Sequence, residues 1–194
     1  MSNENKVKFG LKNVHVAIAT IAADNTATYD TPFAFPGAVS LSMDPQGEAT
    51  TFRADNIDYW VGQSNRGYEG DLEMARFIDK FKTDILKMYA DQKGVLIETV
   101  EPDAVHFALL FEFDGDQKAT RHVLYNCTCG RPSVGSSTTE DTVEPQTESA
   151  TITAGTIHVA SLGKDVVKAD TTATTDATTY ANWYDAVYVV TPRT

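Results

Sequence analysis

Two β-rich runs joined by a short turn constrain the fold of this chain more than any other feature. Residues 104–113 carry an apolar side chain at every second position from Phe107 onward. Residues 121–129 resume the alternation after the turn Asp114-Gly115-Asp116. A period of two is typical of a strand, and an Asp-Gly step has the chemistry of a tight hairpin turn. The pattern therefore predicts an antiparallel hairpin.

Alternation elsewhere predicts further strands and a mainly β (α+β) fold. With 194 residues, the chain has the length of a single domain, residues 1–194. A turn at Asp55-Asn56 is expected to join two of the predicted strands. The strands predicted by alternation cover residues 13–21, 38–43, 50–54 and 57–61, and the turn joins the last two.

One helix is predicted at about residues 76–90, flanking the strands. Its apolar side chains recur at the 3.6-residue spacing of a helix face, and Gly94 supplies the stop. A stripe of this kind indicates core packing rather than a ligand site. Its members are Ile78, Phe81, Ile85 and Met88.

Three segments break this pattern. A long loop at about 24–36 carries Phe33 and Phe35, and aromatic side chains on such a loop either cap the core or form a docking surface. The Ser-, Thr- and Glu-rich residues 133–153 have the composition of a linker. In the C-terminal segment 155–194, the Thr-rich run 171–179 predicts an exposed turn before a strand at 180–190.

The charge balance excludes one class of function. A net charge of −11 argues against binding a nucleic-acid backbone, since phosphate contacts need clustered Lys and Arg. It is compatible with enclosing DNA without binding it. No run approaches the roughly 20 apolar residues that a membrane span requires. The first residues lack the apolar core of a signal peptide, so we expect a protein made and kept in a cytoplasm.

No arrangement of side chains indicates catalysis, so we expect no enzyme, catalytic residue, cofactor or metal. The sequence contains neither a phosphate-binding loop nor a nucleophile elbow. His106 and His122 are expected to face each other across the predicted hairpin. Cys127 and Cys129 are expected to be free thiols, because a disulfide between positions i and i+2 is strained. A metal site using either histidine would lack a familiar ligand spacing.

Two aromatic pairs leave two interpretations open. Tyr59-Trp60 and Trp183-Tyr184 could form a sugar-binding platform on a β-sandwich. The simpler interpretation places them in the core and at its rim.

The segment that begins at Gly67 has an unusual distribution of charge. From Tyr68 onward, alternation places Leu72 and Met74 on one face of a strand. The other face carries the three carboxylates Glu69, Asp71 and Glu73, which repel one another. This row is either an ordinary solvated strand face or a surface that must stay acidic.

Eight short motifs in order resemble the major tail protein of long, non-contractile-tailed bacteriophages. The resemblance extends from Lys8 to about Ala154. The motifs are FGLKNV at 9–14, PGAVSL at 36–41, Tyr59 with NRGYEG at 65–70, FKTDIL at 81–86, GVLIE at 94–98, FALLFE at 107–112, RHVLYNC at 121–127 and EPQTE at 144–148.

The resemblance implies a virion structural protein with a β-sandwich or half-barrel, one flanking helix and long assembly loops. Six subunits would form a ring, and stacked rings would form the tail tube through which DNA is ejected. The tube would assemble in the bacterial host cytoplasm with tape measure, tail terminator and distal tail proteins as partners. The family has no catalytic residues and no cofactor.

Two expectations follow from this resemblance. Residues 24–36 are expected to be an assembly loop, mobile in the free subunit and ordered between subunits. Glu69, Asp71 and Glu73 are expected to point toward the tube lumen or its rim. The alternative function is a β-sandwich carbohydrate-binding or adhesion module, which would also be β-rich and acidic with exposed aromatic side chains.

Overall fold

Antiparallel strands make up most of the chain. The computed structural model describes residues 4–100, 105–138 and 145–190. Ala104, residues 139–144 and residues 191–194, which belong to predicted segments, lie outside this description. The described strands are β1 (Lys8–Ile21), β2 (Ala27–Tyr29), β3 (Phe33–Ala34), β4 (Ala38–Gln46), β5 (Ala49–Ala54), β6 (Ile57–Gln63), β7 (Gly67–Met74), β8 (Tyr89–Ala90), β9 (Leu96–Ile97), β10 (Phe107–Gly115), β11 (Thr120–Cys129), β12 (Glu148–Gly155), β13 (Ile157–Val159), β14 (Lys164–Val166) and β15 (Lys168–Asp170).

Most of these strands form one sheet, which confirms the predicted mainly β fold. The strand order is β2-β1-β10-β11-β12-β7-β4, with β3 also paired to β1 and β15 to β11. The pairs β5-β6, β8-β9 and β13-β14 form three small hairpins beside it. The predicted hairpin of β10 and β11 is confirmed and lies in the middle of the sheet, with Phe111 opposite His122.

Strand β10 is buried on both faces because the sheet separates two apolar clusters. Phe107, Leu109 and Phe111 belong to the first cluster. Ala108 and Leu110 belong to the second. A strand covered on both sides can be apolar at every position, which explains why the alternation in this segment is interrupted by further apolar residues.

The first apolar cluster joins strands that lie far apart in the sheet order. It gathers side chains from β1, β10, β11, β12 and β7. Phe35, Phe77 and Phe81 lie at its centre, with the rings of Phe35 and Phe81 stacked at 4.6 Å. Stacked and edge-to-face aromatic pairs of this kind contribute beyond their buried area.

The helix is present at the predicted place but is shorter than predicted. Helix α1 spans Asp79–Asp84, and the chain then turns, with Lys87 at a φ of 53°. Phe81, Ile85 and Leu86 are buried nonetheless. The apolar spacing thus reflects a short helix followed by a bend over the core. The helix cannot continue past Lys87, because this residue has a left-handed backbone conformation.

Residues 24–36 do not form the long loop that was predicted. They fold back on β1 as β2 and β3, so that Thr28 lies opposite Thr20 and Phe33 opposite Val16. Phe35 is fully buried. The two aromatic side chains therefore pack with the core, whereas a role of this segment in assembly stays a prediction.

Residues 148–153 of the expected linker form most of β12 in the interior of the sheet. Ala150, Ile152 and Ala154 face the core, whereas Thr151 and Thr153 are exposed. Thr is a good strand former, so a composition that is typical of a linker also suits a half-buried strand.

The predicted strand at 180–190 is also wrong. Helix α2 (Ala177–Ala181) follows the exposed Thr-rich turn, and residues 182–190 cross the second cluster without joining a strand. Asp176 caps α2 by accepting a hydrogen bond from the Thr179 amide at 2.9 Å. The β-like composition here reflects aromatic and branched side chains that anchor an irregular segment.

Strands β4 to β7 form one long hairpin that extends beyond the sheet. Strands β4 and β7 are its base, and β5 and β6 are its outer half. Backbone bonds from Arg66 N to Gln46 O (2.7 Å) and from Ser64 N to Glu48 O (3.2 Å) carry the ladder across the junction. Within the described residues, neither helix is long enough to cross a membrane.

Candidate functional site

An acidic, hydroxyl-rich surface covers the outer face of β4, β7 and β12. Strand β7 lies between the other two, so each of its carboxylates has two cross-strand neighbours. Asp71 lies opposite Ser42 and Thr151. We call this surface the acidic face; its members are Ser40, Ser42, Asp44, Glu69, Asp71, Glu73, Ser149, Thr151 and Thr153.

Hydroxyl groups donate hydrogen bonds to two carboxylates of the acidic face, Glu73 and Asp71. Ser40 Oγ and Thr147 Oγ1 donate hydrogen bonds to Glu73 at 2.8 and 2.6 Å. Thr151 Oγ1 donates to Asp71 at 2.9 Å. The bonds from Thr147 and then Ser40 lower the pKa of Glu73, because they stabilise its charged form.

No cation balances this charge within the face. Strands β4, β7 and β12 contain no Lys or Arg, and every residue of the three strands is described. The reverse side of β7 holds Leu72 and Met74, both fully buried. The predicted division of β7 into an acidic and an apolar face is therefore confirmed.

The outer half of the long hairpin, residues 47–66, is a second unusual feature, which we call the arm. Its strands pair only with each other among the described strands. Asp55 and Asn56 at the tip have φ angles of 51° and 62°, as a two-residue hairpin turn requires. The predicted turn and strand pair are confirmed.

Both faces of the arm expose large apolar side chains. Phe52 lies opposite Trp60 on one face, and Val61 lies opposite Thr51 on the other. The Trp60 ring covers Gly62, where a Cβ atom would collide with it. The exposed large side chains are Phe52, Ile57, Tyr59, Trp60 and Val61, of which Tyr59 is the most exposed at 69%.

A smaller apolar hairpin lies after α1. Strands β8 and β9 expose Tyr89 and Ile97. Arg131 ties this region to the body by donating to the Leu86 carbonyl at 2.7 Å and pairing with Glu98 at 3.3 Å. Exposed apolar hairpins therefore occur at two places in the described part of the chain.

The predicted histidine pair does not form. His122 lies opposite Phe111 and stacks on its ring at 5.1 Å, whereas His106 Nδ1 contacts Asn126 Oδ1 at 2.7 Å. Burial lowers the pKa of His122 to about 4. The β10–β11 register places His122 opposite Phe111, and His106 lies five residues before Phe111, just outside β10, so the two histidines are too far apart along the hairpin to pair.

Both cysteines are free thiols, as expected. Cys127 is buried and burial raises the pKa of its thiol; burial also raises the pKa of Cys129, to about 12. Thiols with raised pKa values are poor nucleophiles and poor metal ligands at neutral pH. No group of three metal-binding side chains comes together in the residues that the structure describes.

The two aromatic pairs have different environments and do not form one platform. Trp183 is buried and stacks on Tyr188 at 5.5 Å. Tyr59 and Trp60 are exposed on the arm. Alternation in the sequence located the strand of Tyr59 and Trp60, but it could not reveal that none of the residues described here covers these two side chains.

The comparisons with known proteins add no relative. No protein-family model matches the chain, and no curated protein matches it.

Proposed function

We propose that this chain is a virion structural protein that polymerises as stacked hexameric rings into a phage tail tube, a conduit for DNA. The proposal rests on the sequence resemblance, and the single observation that carries it is the arm. A hairpin with exposed apolar side chains on both faces suits a surface that is covered in an assembly.

The energetics of the arm favour a covered state. An isolated two-stranded hairpin is marginally stable in water. Burying one large apolar side chain is worth roughly 1.5–3 kcal/mol. Five such side chains on the arm represent a substantial driving force for association, and contiguous exposed apolar surface commonly marks an interaction site.

The edges of the sheet also support self-association. Strand β4 ends the sheet order and pairs only with β7 among the described strands. Unpaired backbone groups along such an edge are a template for another strand. Closure of a ring from identical subunits would pair these edges, which cyclic symmetry permits.

The acidic face suits the wall of a DNA channel. Six copies would create a dense negative surface with no Lys or Arg in the strands that form it. Attraction to many phosphates would hold DNA in place, whereas repulsion lets it move. Self-repulsion within the ring is offset in part by the hydrogen bonds from Ser40, Thr147 and Thr151.

Electron microscopy of an arm variant tests the proposal. Concentrated wild-type protein should form six-fold rings or tubes in negative stain. Tyr59→Ser with Trp60→Ser should stay folded, because both side chains are exposed, but should fail to form tubes. Val134→Ser is the matched control, since Val134 is a fully exposed apolar residue outside the arm. Normal tubes from the double variant, or no tubes from wild type, would contradict the proposal.

The exposed pair Tyr59-Trp60 also favours a carbohydrate-binding or adhesion module as the second candidate. Aromatic rings on a strand can stack on sugar rings, and both of these side chains are more than half exposed. Retardation of the wild-type monomer in polysaccharide gels, abolished by Trp60→Ala, would support this candidate. Free migration in every gel would remove it.

A further inference from the structure

Residues 177–190, which we call the strap, lie across the second apolar cluster like a bound peptide. Trp183 and Val187 are buried in this cluster. Within the described residues, the backbone bonds made by strap amides are all to residues 176–182, none to the sheet. The strap therefore depends on side-chain contacts for its attachment.

Tyr184 of the strap contacts the sheet through both its hydroxyl group and its ring. Its hydroxyl donates to Glu112 at 3.1 Å, and its ring stacks on His15 at 4.5 Å. Glu112 is only 3% exposed and also accepts hydrogen bonds from Asn13 at 2.7 Å and Arg121 at 3.0 Å. The sheet thus presents to one hydroxyl of the strap a carboxylate that already accepts hydrogen bonds from two sheet residues.

Tyr180 occupies a second, cationic position. The Arg121 guanidinium lies 3.9 Å from the centre of its ring and donates to its carbonyl oxygen. Lys118 Nζ lies 3.5 Å from the same ring centre. The Tyr180 hydroxyl donates to the Ala119 carbonyl at 3.0 Å. Cations over an aromatic face add selectivity for an aromatic residue.

Toward its C-terminal end the strap is less buried, since Val189 is 69% exposed. The Tyr125 hydroxyl donates to the Tyr188 carbonyl at 3.1 Å. A cavity of about 240 Å³ nevertheless remains beside this contact, lined in part by Tyr29, Tyr125 and Tyr188. Incomplete filling lowers the cost of removing this end of the strap.

We infer that the strap is a separable peptide ligand of the sheet face formed by β1, β10 and β11, and that the strap of a second copy of the chain can replace it. The strap can pivot about the exposed turn before α2. Asp176, next to this turn, caps α2 by accepting a hydrogen bond from the Thr179 amide. Exchange between copies reproduces every contact, so its equilibrium cost is small. This exchange requires no tube.

A cut-and-exchange experiment tests this inference on the folded full-length chain. A protease site is inserted after the exposed Ala173, and the chain is cut after folding. The cut segment should co-elute with the body in size-exclusion chromatography. Labelled synthetic peptide 174–194 should then replace it, while uncut protein should take up much less label, because its own tethered strap competes at a high effective concentration.

A single hydroxyl provides the specificity test. Tyr184→Phe in the cut chain should speed peptide exchange about tenfold or more, since a hydrogen bond to a charged group contributes roughly 1.5–3 kcal/mol. Tyr89→Phe, at an exposed tyrosine, is the matched control and should leave the rate unchanged. Label uptake no faster than global unfolding, immediate loss of the cut segment, or equal rates for both variants would overturn the inference.

Discussion

At the scale of single residues, buried polar groups in this chain are matched to their partners. Glu112 has two charged neighbours and two neutral donors, and every fully buried side-chain polar atom in the described residues has a partner. His122 differs, because its imidazole is mostly buried beside Phe111 and Phe113 and its charged form is disfavoured.

His122 should make the stability of the subunit depend on pH. Its folded-state pKa of about 4 lies below the ordinary value of 6.5, so the unfolded chain binds the proton more readily. The contribution is fully present above about pH 6.5 and is lost as pH falls toward 4, by up to about 3 kcal/mol. Urea denaturation between pH 7 and 4 measures it.

The comparison that isolates this histidine uses two variants. His122→Gln should flatten the fall in unfolding free energy between pH 6.5 and 4. His158→Gln, at a less buried histidine that contacts Asp165, should retain it. Identical pH profiles for the two variants would show that other groups cause the fall.

At the scale of elements, the residues between β1 and β4 belong to the core. Phe35 contacts both Phe77 and Phe81, and Tyr29 donates a hydrogen bond to the Tyr125 carbonyl at 3.1 Å. A deletion within residues 26–31 would remove the paired strand β2. The segment is therefore a structural part of the subunit.

Phe35→Ala should destabilise the subunit strongly. Truncating a buried phenylalanine costs about 3–5 kcal/mol through lost burial and the cavity left behind. Phe9→Ala should cost little, because Phe9 is exposed. Chemical denaturation of both variants gives the comparison. Equal, small losses would mean that residues 24–36 are not held against the core in solution.

Local patterns predicted the elements better than they predicted their pairing. Alternation and turn chemistry located β10, β11, the arm strands and the tip at Asp55-Asn56. They could not show that Phe35 enters the core, because that depends on contacts with Phe77 and Phe81 that are distant in sequence. The acidic row on β7 was visible in the sequence, whereas its hydroxyl neighbours required knowledge of which strands flank β7.

At the scale of the whole molecule, the acidic face and the exposed apolar side chains of the arm lie on different parts of the surface, although the arm also carries the exposed ion pair Arg53–Asp58. The acidic face lies on the base of the long hairpin, and the exposed apolar side chains of the arm lie on its outer half. An assembly could therefore bury the arm between subunits while leaving the carboxylates in water, which avoids the cost of desolvating them.

Replacing Glu69, Asp71 and Glu73 together by Lys should convert assembled tubes from repelling DNA to retaining it. If the face lines the lumen, the retained DNA should resist nuclease and should be released as salt rises. The matched control replaces Asp30, Asp79 and Asp185 by Lys; these exposed residues lie outside the arm and the acidic face, and the change in charge is the same. DNA that is equally digestible on both variants would place the acidic face outside the lumen.

The long hairpin also makes burial of the core depend on the correct register of its strands. A slip of one residue in β7 would turn Leu72 outward and drive Asp71 inward, because successive side chains alternate between faces. Gly70 helps to fix the correct alignment, since a Cβ atom there would collide with the Ser42 carbonyl oxygen. The same two strands carry the arm. A subunit whose arm is displaced along the hairpin would thus lose its core as well, so only correctly aligned subunits stay folded long enough to present an arm.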